Sequence, residues 1–168
     1  MASSNNAATF LTLTEENRGI IFKVCNIYCK DKQHQQDLEQ EIIYQLWRSY
    51  PQFNPQFKFT TWMYRVALNV AISFYRKNKH SNDIISISTD HEEVEDNTSD
   101  HLQKEQNIQL LYRFIDGLQE LDKALMLLYL EEKSYSEIAE VLGISETNVA
   151  TKISRIKQKL KQHSTTLK

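Results

Sequence analysis

The stretch Ser134–Lys161, SYSEIAEVLGISETNVATKISRIKQKLK, constrains this chain more than any other. Ser134 followed by Glu137 has the spacing of a capping box, in which hydroxyl and carboxylate each satisfy a backbone N–H left free by the first helical turn. The spacing predicts a short helix from about Tyr135 to Leu142 with Ile138, Ala139 and Leu142 inward. Gly143 supplies the positive φ of a tight turn, and Ser145 caps a second, longer helix. Small Ala139, the turn at Gly143 and inward Val149 have the spacing of a helix-turn-helix, where two steeply crossing helices need a small residue at their contact.

The second helix has two chemically different sides. Val149, Ile153, Ile156 and Leu160 fall on one apolar stripe. Thr147, Asn148, Thr151, Ser154, Arg155 and Gln158 lie roughly opposite, with Lys152, Lys157 and Lys159 along the flanks. Hydrogen-bonding groups between rails of cations suit a DNA major groove, where bases are read centrally and phosphates are held at the edges. The plainer reading is an amphipathic helix with a solvated basic face; the capping and turn signals favour DNA.

Composition matters here through its distribution. A net charge of −2 argues at first against a nucleic-acid partner. Yet Asp90–Asp100 holds six acids and no Lys or Arg, while Lys58–Lys79 holds five bases and no acid. Two basic modules separated by an acidic tether average to near neutrality. Three Gly and two Pro in 168 residues point to long helices and an all-α fold. No run reaches the apolar length of a membrane span, and MASSNNAATF lacks a signal-peptide pattern, so a cytoplasmic protein is expected. Cys25 and Cys29, four apart on a predicted helix, lack further Cys or clustered His to complete a metal site, and read as reduced core cysteines. No metal or cofactor is expected, and no phosphate loop, nucleophile elbow or carboxylate cluster suggests an enzyme.

Along the chain, residues 1–9 are small and polar, and disorder is expected there. Thr14 with Glu15 and Glu16 reads as a helix start, continued by Ile20, Ile21, Val24, Ile27 and Tyr28 to about Cys29. The next helix, about Gln35–Ser49, turns Leu38, Ile42, Ile43 and Leu46 inward. Asp37, Gln40, Glu41, Tyr44, Trp47 and Arg48 gather on its other side, and a Trp and a Tyr beside acids suggest a protein-binding face, unless Trp47 tucks into the core. After Pro51, the rings of Phe53, Phe57, Phe59, Trp62 and Tyr64 crowd together with Lys58 and Arg65. Aromatics interleaved with bases suit a platform for unstacked bases, although at least half of these rings are expected to pack the core. The helix Thr61–Lys77 aligns Trp62, Arg65, Asn69, Ser73 and Arg76, and an exposed mid-helix Asn69 runs against propensity. Residues 80–101 have no helical period and read as a flexible linker. Helix then resumes through Leu111, Phe114, Ile115 and Leu118, with another segment from Leu121 to about Glu131. The organisation expected is a disordered start (1–9), a helical domain (10–80), a flexible acidic linker (81–103), a four-helix module ending in the helix-turn-helix (104–163), and a tail (164–168).

These residues carry a family resemblance. DLEQEIIYQLW (Asp37–Trp47) is similar to the D-L-x-Q-E-x-F-x-x-x-W helix of bacterial extracytoplasmic-function sigma factors, the minimal two-domain sigma subunits of RNA polymerase. FKFTTWMYRVALNVAISFYRK (Phe57–Lys77) resembles their F-x-x-W-L-Y-x-I-A-x-N-x-x-x-D-x-x-R segment, and the final stretch their S-Y-x-E-I-A-x-x-L-G helix-turn-helix. The chain departs from the pattern at Thr147–Lys152, where Gly-Thr-Val-Lys-Ser-Arg is common, at Ser73, where Asp is common, and before Leu121, where Leu-Pro is usual. The resemblance implies that Asp37, Gln40, Glu41 and Trp47 bind a coiled coil on the largest subunit of core polymerase. It assigns Phe59, Trp62, Arg65 and Asn69, with Arg76 on the same face, to recognition and opening of the promoter −10 element. It assigns the last helix, through Thr147, Asn148, Thr151, Lys152, Arg155, Lys157 and Lys159, to the −35 element. An anti-sigma factor is a further implied partner. The competing reading is a helix-turn-helix regulator whose first domain senses or dimerises; it leaves the aromatic-basic stretch unexplained.

Overall fold

The computed structural model describes residues 2–82 and 99–166, and within them the chain forms eight α-helices, one 3-10 turn and no strand. The first half contains α1 (Ala2–Glu16), α2 (Arg18–Tyr28), α3 (Lys32–Ser49) and α4 (Phe59–Asn82), with the 3-10 turn at Tyr50–Gln52. The second contains α5 (Ser99–Asp116), α6 (Glu120–Leu130), α7 (Tyr135–Leu142) and α8 (Glu146–Thr166).

Local chemistry sets several of these boundaries. Asp31 caps α3, its carboxylate accepting from the His34 backbone N–H at 3.3 Å. Pro51 sits in the first turn of the 3-10 segment, where its missing N–H costs nothing. Ser134 and Glu137 form the expected capping box: the Glu137 N–H donates to Ser134 Oγ at 3.1 Å, and the Ser134 N–H to Glu137 Oε2 at 2.9 Å. Gly143 takes φ 68°, and its N–H and that of Ile144 both donate to the Ala139 carbonyl, closing α7. Ser145 Oγ accepts from the Asn148 N–H at 3.1 Å and opens α8. Between α6 and α7 the left-handed turn falls on a non-glycine, Glu132 at φ 58°, and the Lys133 N–H donates to the Leu128 carbonyl across it.

Helix α4 lies at the centre, packed against α2, α3, α6 and α7. Its buried line is Met63, Tyr64, Ala67, Leu68 and Ala71. Leu38, Ile42 and Leu46 of α3 and Ile21, Val24 and Cys25 of α2 are buried with it. In the second half Leu125, Leu128, Ile138, Val149, Ile153 and Ile156 are buried, so the apolar stripe of α8 is core as expected, with Leu160 half-buried at its end. Val141 is buried while Leu142 is half-buried, a small rotation of α7 from the expected face.

The two ends differ from the sequence expectation. Residues 2–9, expected to be disordered, form the first turns of α1, because Phe10 is buried under Trp47 and Tyr50 and fixes the helix that carries it. Thr14 is therefore no helix start; it lies in the last turn of α1, its hydroxyl buried without a partner, and the break comes at Asn17. Helix α8 continues into the expected tail as far as Thr166, extended by side-chain bonds from Thr165 and Thr166 to carbonyls one turn back; residues 167–168 lie outside the described residues. Of the expected linker, residues 83–98 lie outside the described residues; residues 81–82 belong to α4 and 99–103 to α5.

The capping box generates a stability prediction. Ser134→Ala should destabilise the protein by about 1 kcal/mol in chemical denaturation. The Glu137 carboxyl is held below its ordinary value of 4.5, chiefly by the Ser134 backbone N–H. A folded value lower than the unfolded one gives stability that is complete above pH 4.5 and lost as pH falls through the folded value. The stability gap between wild type and Glu137→Gln should therefore narrow on acidification; a gap that widens would contradict this geometry.

Candidate nucleic-acid and protein interfaces

Burying Leu38, Ile42 and Leu46 turns the opposite side of α3 to solvent, and Asp37, Gln40, Glu41, Tyr44, Trp47 and Arg48 are all exposed there. The four sequence-expected protein-binding residues, Asp37, Gln40, Glu41 and Trp47, share this face. Trp47 meets both readings made of it: its ring lies 5.1 Å from that of Phe10, yet it stays 48% exposed. Glu41 accepts from Gln45 at 2.9 Å, and among the described residues neither Asp37 nor Glu41 pairs with a cation.

The same logic orients α4. Opposite its buried line, Arg65, Asn69, Ser73 and Arg76 are exposed in a row. Trp62, half-buried, begins that row and joins a cluster of rings: Phe53 at 5.1 Å, Phe59 at 5.4 Å and Tyr50 at 6.2 Å between centroids. Half-buried, mutually tilted rings leave edges and part-faces available while their positions are fixed by packing. Phe57 projects from the preceding loop, 58% exposed. Tyr64 does not belong to this surface: it is 2% exposed, and burial pushes its hydroxyl up to about 12.

On α8, Thr147, Asn148, Thr151, Arg155, Lys157 and Lys159 are exposed and Lys152 is half-buried. The flanks are unequal. Lys157 leans on α6, its Nζ 4.4 Å from the Tyr129 ring centroid, and the Tyr129 hydroxyl raises its pKa. Lys152 and Lys159 line the other side.

A seam of charge runs between the two halves. Lys23 pairs with Glu131 at 2.6 Å, Arg76 with Glu120 at 2.9 Å, Lys58 with Glu137 at 3.6 Å, and Lys30 with Asp116. Each base comes from the first half and each acid from the second. Arg76 holds the Glu120 carboxyl below the ordinary carboxylate range. Under the seam, the Tyr28 hydroxyl donates to the Glu120 carbonyl at 2.5 Å. Lys123, 3% exposed, sits 5.0 Å from the Tyr75 ring centroid, its pKa depressed by burial.

Cys25 and Cys29 are free and buried, and burial pushes their thiols up to about 12 and about 11. Among the described residues no cluster of three metal-ligating side chains occurs, and no helix is long and apolar enough to cross a membrane.

Sequence reasoning missed α1. Its Ala7, Phe10 and Leu11 stand beside the exposed face of α3. The only signal was a run of apolar residues at helical spacing, in a segment otherwise small and polar.

Comparison with known proteins adds a lineage to this geometry. The family described as sigma-70 region 2 matches residues 13–81, and that described as sigma-70 region 4 matches residues 108–160. The chain is 27% identical over 161 residues to the ECF RNA polymerase sigma factor SigX of Bacillus subtilis, covering 92% of this chain and 83% of that protein. The fold is similar to that of CnrH, solved in complex with the cytosolic domain of CnrY, at a TM-score of 0.65 and 20% identity over 96% of this chain and 90% of the other. It is also similar to that of the sigma factor RpoE, solved in complex with the anti-sigma factor NepR from Bartonella quintana. There the TM-score is 0.68 at 15% identity, over 92% of this chain and 97% of the other.

The cysteine geometry predicts chemical silence. At pH 8 the folded protein should resist alkylation by iodoacetamide at both thiols, and denaturant should expose both together. Rapid modification of the native protein, followed by mass spectrometry, would show a site that the buried pair does not explain.

Proposed function

This chain belongs to the sigma-70 family of RNA polymerase sigma factors, in its extracytoplasmic-function group, and we propose how its surfaces divide that work. As a sigma factor it binds core polymerase and directs transcription initiation at promoters. In our reading the residues 10–80 form the unit that holds polymerase and the −10 element, and residues 104–163 the unit that reads the −35 element.

The observation that carries the reading is the row Arg65, Asn69 and Arg76, exposed on the side of α4 away from the core, beside the half-buried rings of Trp62 and Phe59 that pack at the core's edge. Bases along a helix hold a DNA backbone, rings receive an unstacked base, and Asn69 has the donor and acceptor to read one. Unstacking a base costs a few kcal/mol, and stacking on an aromatic side chain contributes about 1–3 kcal/mol. The opening of DNA is thus driven by binding, and this chain supplies no covalent chemistry. Arg76 donates its Nε–H to Glu120 at 2.9 Å, which leaves the terminal N–H donors of its guanidinium for a phosphate. On the α3 face, Asp37, Gln40, Glu41 and Trp47 hold the largest-subunit coiled coil of polymerase. On α8, Thr147, Asn148 and Thr151 face the bases, Arg155 meets a guanine edge or a phosphate, and Lys152, Lys157 and Lys159 hold phosphates. The protein works in the cytoplasm. The complexed states of the two solved relatives support an anti-sigma factor as its regulator.

Run-off transcription with purified core polymerase tests the whole reading: the protein should produce discrete transcripts from genomic fragments, and none beyond those of core alone would overturn it. In the same assay Asn69→Ala should relax the requirement at a single −10 position while core binding is retained. Templates varied one base at a time provide the measurement.

The recognition helix allows a sharper separation. Asn148→Ala should cost about 1–3 kcal/mol at particular −35 positions. Lys159→Ala should weaken all sequences alike and lower the salt slope by about one ion. A salt titration of holoenzyme on matched and singly altered −35 elements distinguishes them, and exchanged phenotypes would mean that α8 is oriented otherwise.

A further inference from the structure

We propose that α1 completes the polymerase-binding surface: the groove between α1 and α3 receives an apolar side chain from a basic amphipathic helix of RNA polymerase, with Leu11 as its outer wall. This inference rests on the assignment of the α3 face to polymerase and extends it to the part of α1 that precedes the family match. The match to sigma-70 region 2 begins at residue 13, whereas Ala7, Phe10 and Leu11 precede it.

The groove has a volume of about 520 Å³ and is lined by Ala7, Phe10 and Leu11 from α1 and Ile43, Tyr44 and Trp47 from α3. Leu11, Tyr44 and Trp47 are 64%, 55% and 48% exposed, so three large apolar side chains stand in solvent around one depression rather than scattered over the surface. The wall is held in place. Phe10 is 2% exposed, with its ring centroid 5.1 Å from that of Trp47 and 5.0 Å from that of Tyr50, which ties α1 to α3 at the groove floor. With its floor fixed by Phe10 before binding, the groove loses less entropy when it is filled than an unformed one would.

Charge selects the occupant. Helix α1 contains no Lys or Arg and ends in Glu15 and Glu16. On the α3 side, Asp37 and Glu41 stand on the exposed face that also carries the groove's Gln40 and Tyr44, without a cation partner among the described residues, and the one base of that face, Arg48, lies past Trp47 at its other end. A second copy of this chain would bring the same acids against them, and like charges juxtaposed across an interface are unfavourable. A helix carrying an apolar residue flanked by bases satisfies both the groove and its rim. The groove also shares Gln40 and Trp47 with the face already assigned to polymerase, so one helix can lie across both.

The test is binding of the full chain to purified core polymerase, by fluorescence titration, for wild type, Leu11→Glu, Leu11→Met and Asp37→Lys/Glu41→Lys. Leu11 is mostly exposed, so its variants should keep the wild-type melting temperature; should Leu11→Glu fail to fold, Leu11→Ser takes its place. The proposal expects Leu11→Glu to weaken binding about tenfold or more, Leu11→Met to bind as wild type, and the double variant to lose binding. Wild-type affinity for Leu11→Glu with loss in the double variant would overturn the role of α1 and leave the α3 assignment standing. Unchanged affinity in both would overturn the two together. A wild-type dimer in sedimentation that Leu11→Glu dissolves, with polymerase affinity unchanged, would assign the groove to a second copy and overturn the proposal.

Discussion

Burial of one side of α4 is the constraint on which the other elements depend. Met63, Tyr64, Ala67, Leu68 and Ala71 form a continuous apolar line against which α2, α3, α6 and α7 are packed. The two alanines let neighbouring backbones approach, while Met63 and Leu68 fill the spaces beside them. Because that side is committed, the opposite side is committed too. Trp62, Arg65, Asn69, Ser73 and Arg76 face outward since no other orientation keeps the apolar line dry. The surface proposed to meet DNA is the reverse of the core, and it inherits the core's rigidity. Helix α3 repeats the arrangement, with Leu38, Ile42 and Leu46 inward and the face of Tyr44 and Trp47 outward.

Charge works on a different scale. The pairs that cross between the halves run with bases on the first half and acids on the second. Their bases are largely exposed, and exposed pairs contribute about 0–1 kcal/mol each and are screened by salt. Apolar burial contributes about 1.5–3 kcal/mol per large side chain. The seam therefore orients the halves while the apolar contacts hold them. Lys123 and Tyr28 mark where the seam becomes interior: the cation lies over the Tyr75 ring, and the hydroxyl donates to a backbone carbonyl.

The recognition helix shows how a surface is refined by its neighbours. Its stripe of Val149, Ile153 and Ile156 is buried as its period requires. Its flanking lysines are equivalent in sequence but not in space, since Lys157 lies against Tyr129 of α6 and Lys159 does not. Contacts of this kind decide which cation stands free in solvent and which is held against a ring.

Amino-acid order alone determined the local features. The Ser134–Glu137 box, the left-handed turn at Gly143, the Ser145 cap, the stripe of α8 and the two-sided character of α3 and α4 were all legible, because each is written in hydrogen-bonding groups or periods within a few residues. The buried Cys25 and Cys29 were legible from the lack of further Cys or clustered His to complete a metal site. The tertiary structure decided what those signals do not encode. Residues 2–9 are poor in helix signals and fold because Phe10 finds Trp47 and Tyr50, about forty residues away along the chain. Tyr64 leaves the aromatic surface for the core, Lys123 is buried, and each base of the seam meets its acid only when the halves pack. A chain announces its caps and periods locally; what each face meets is settled by contacts between residues far apart in sequence.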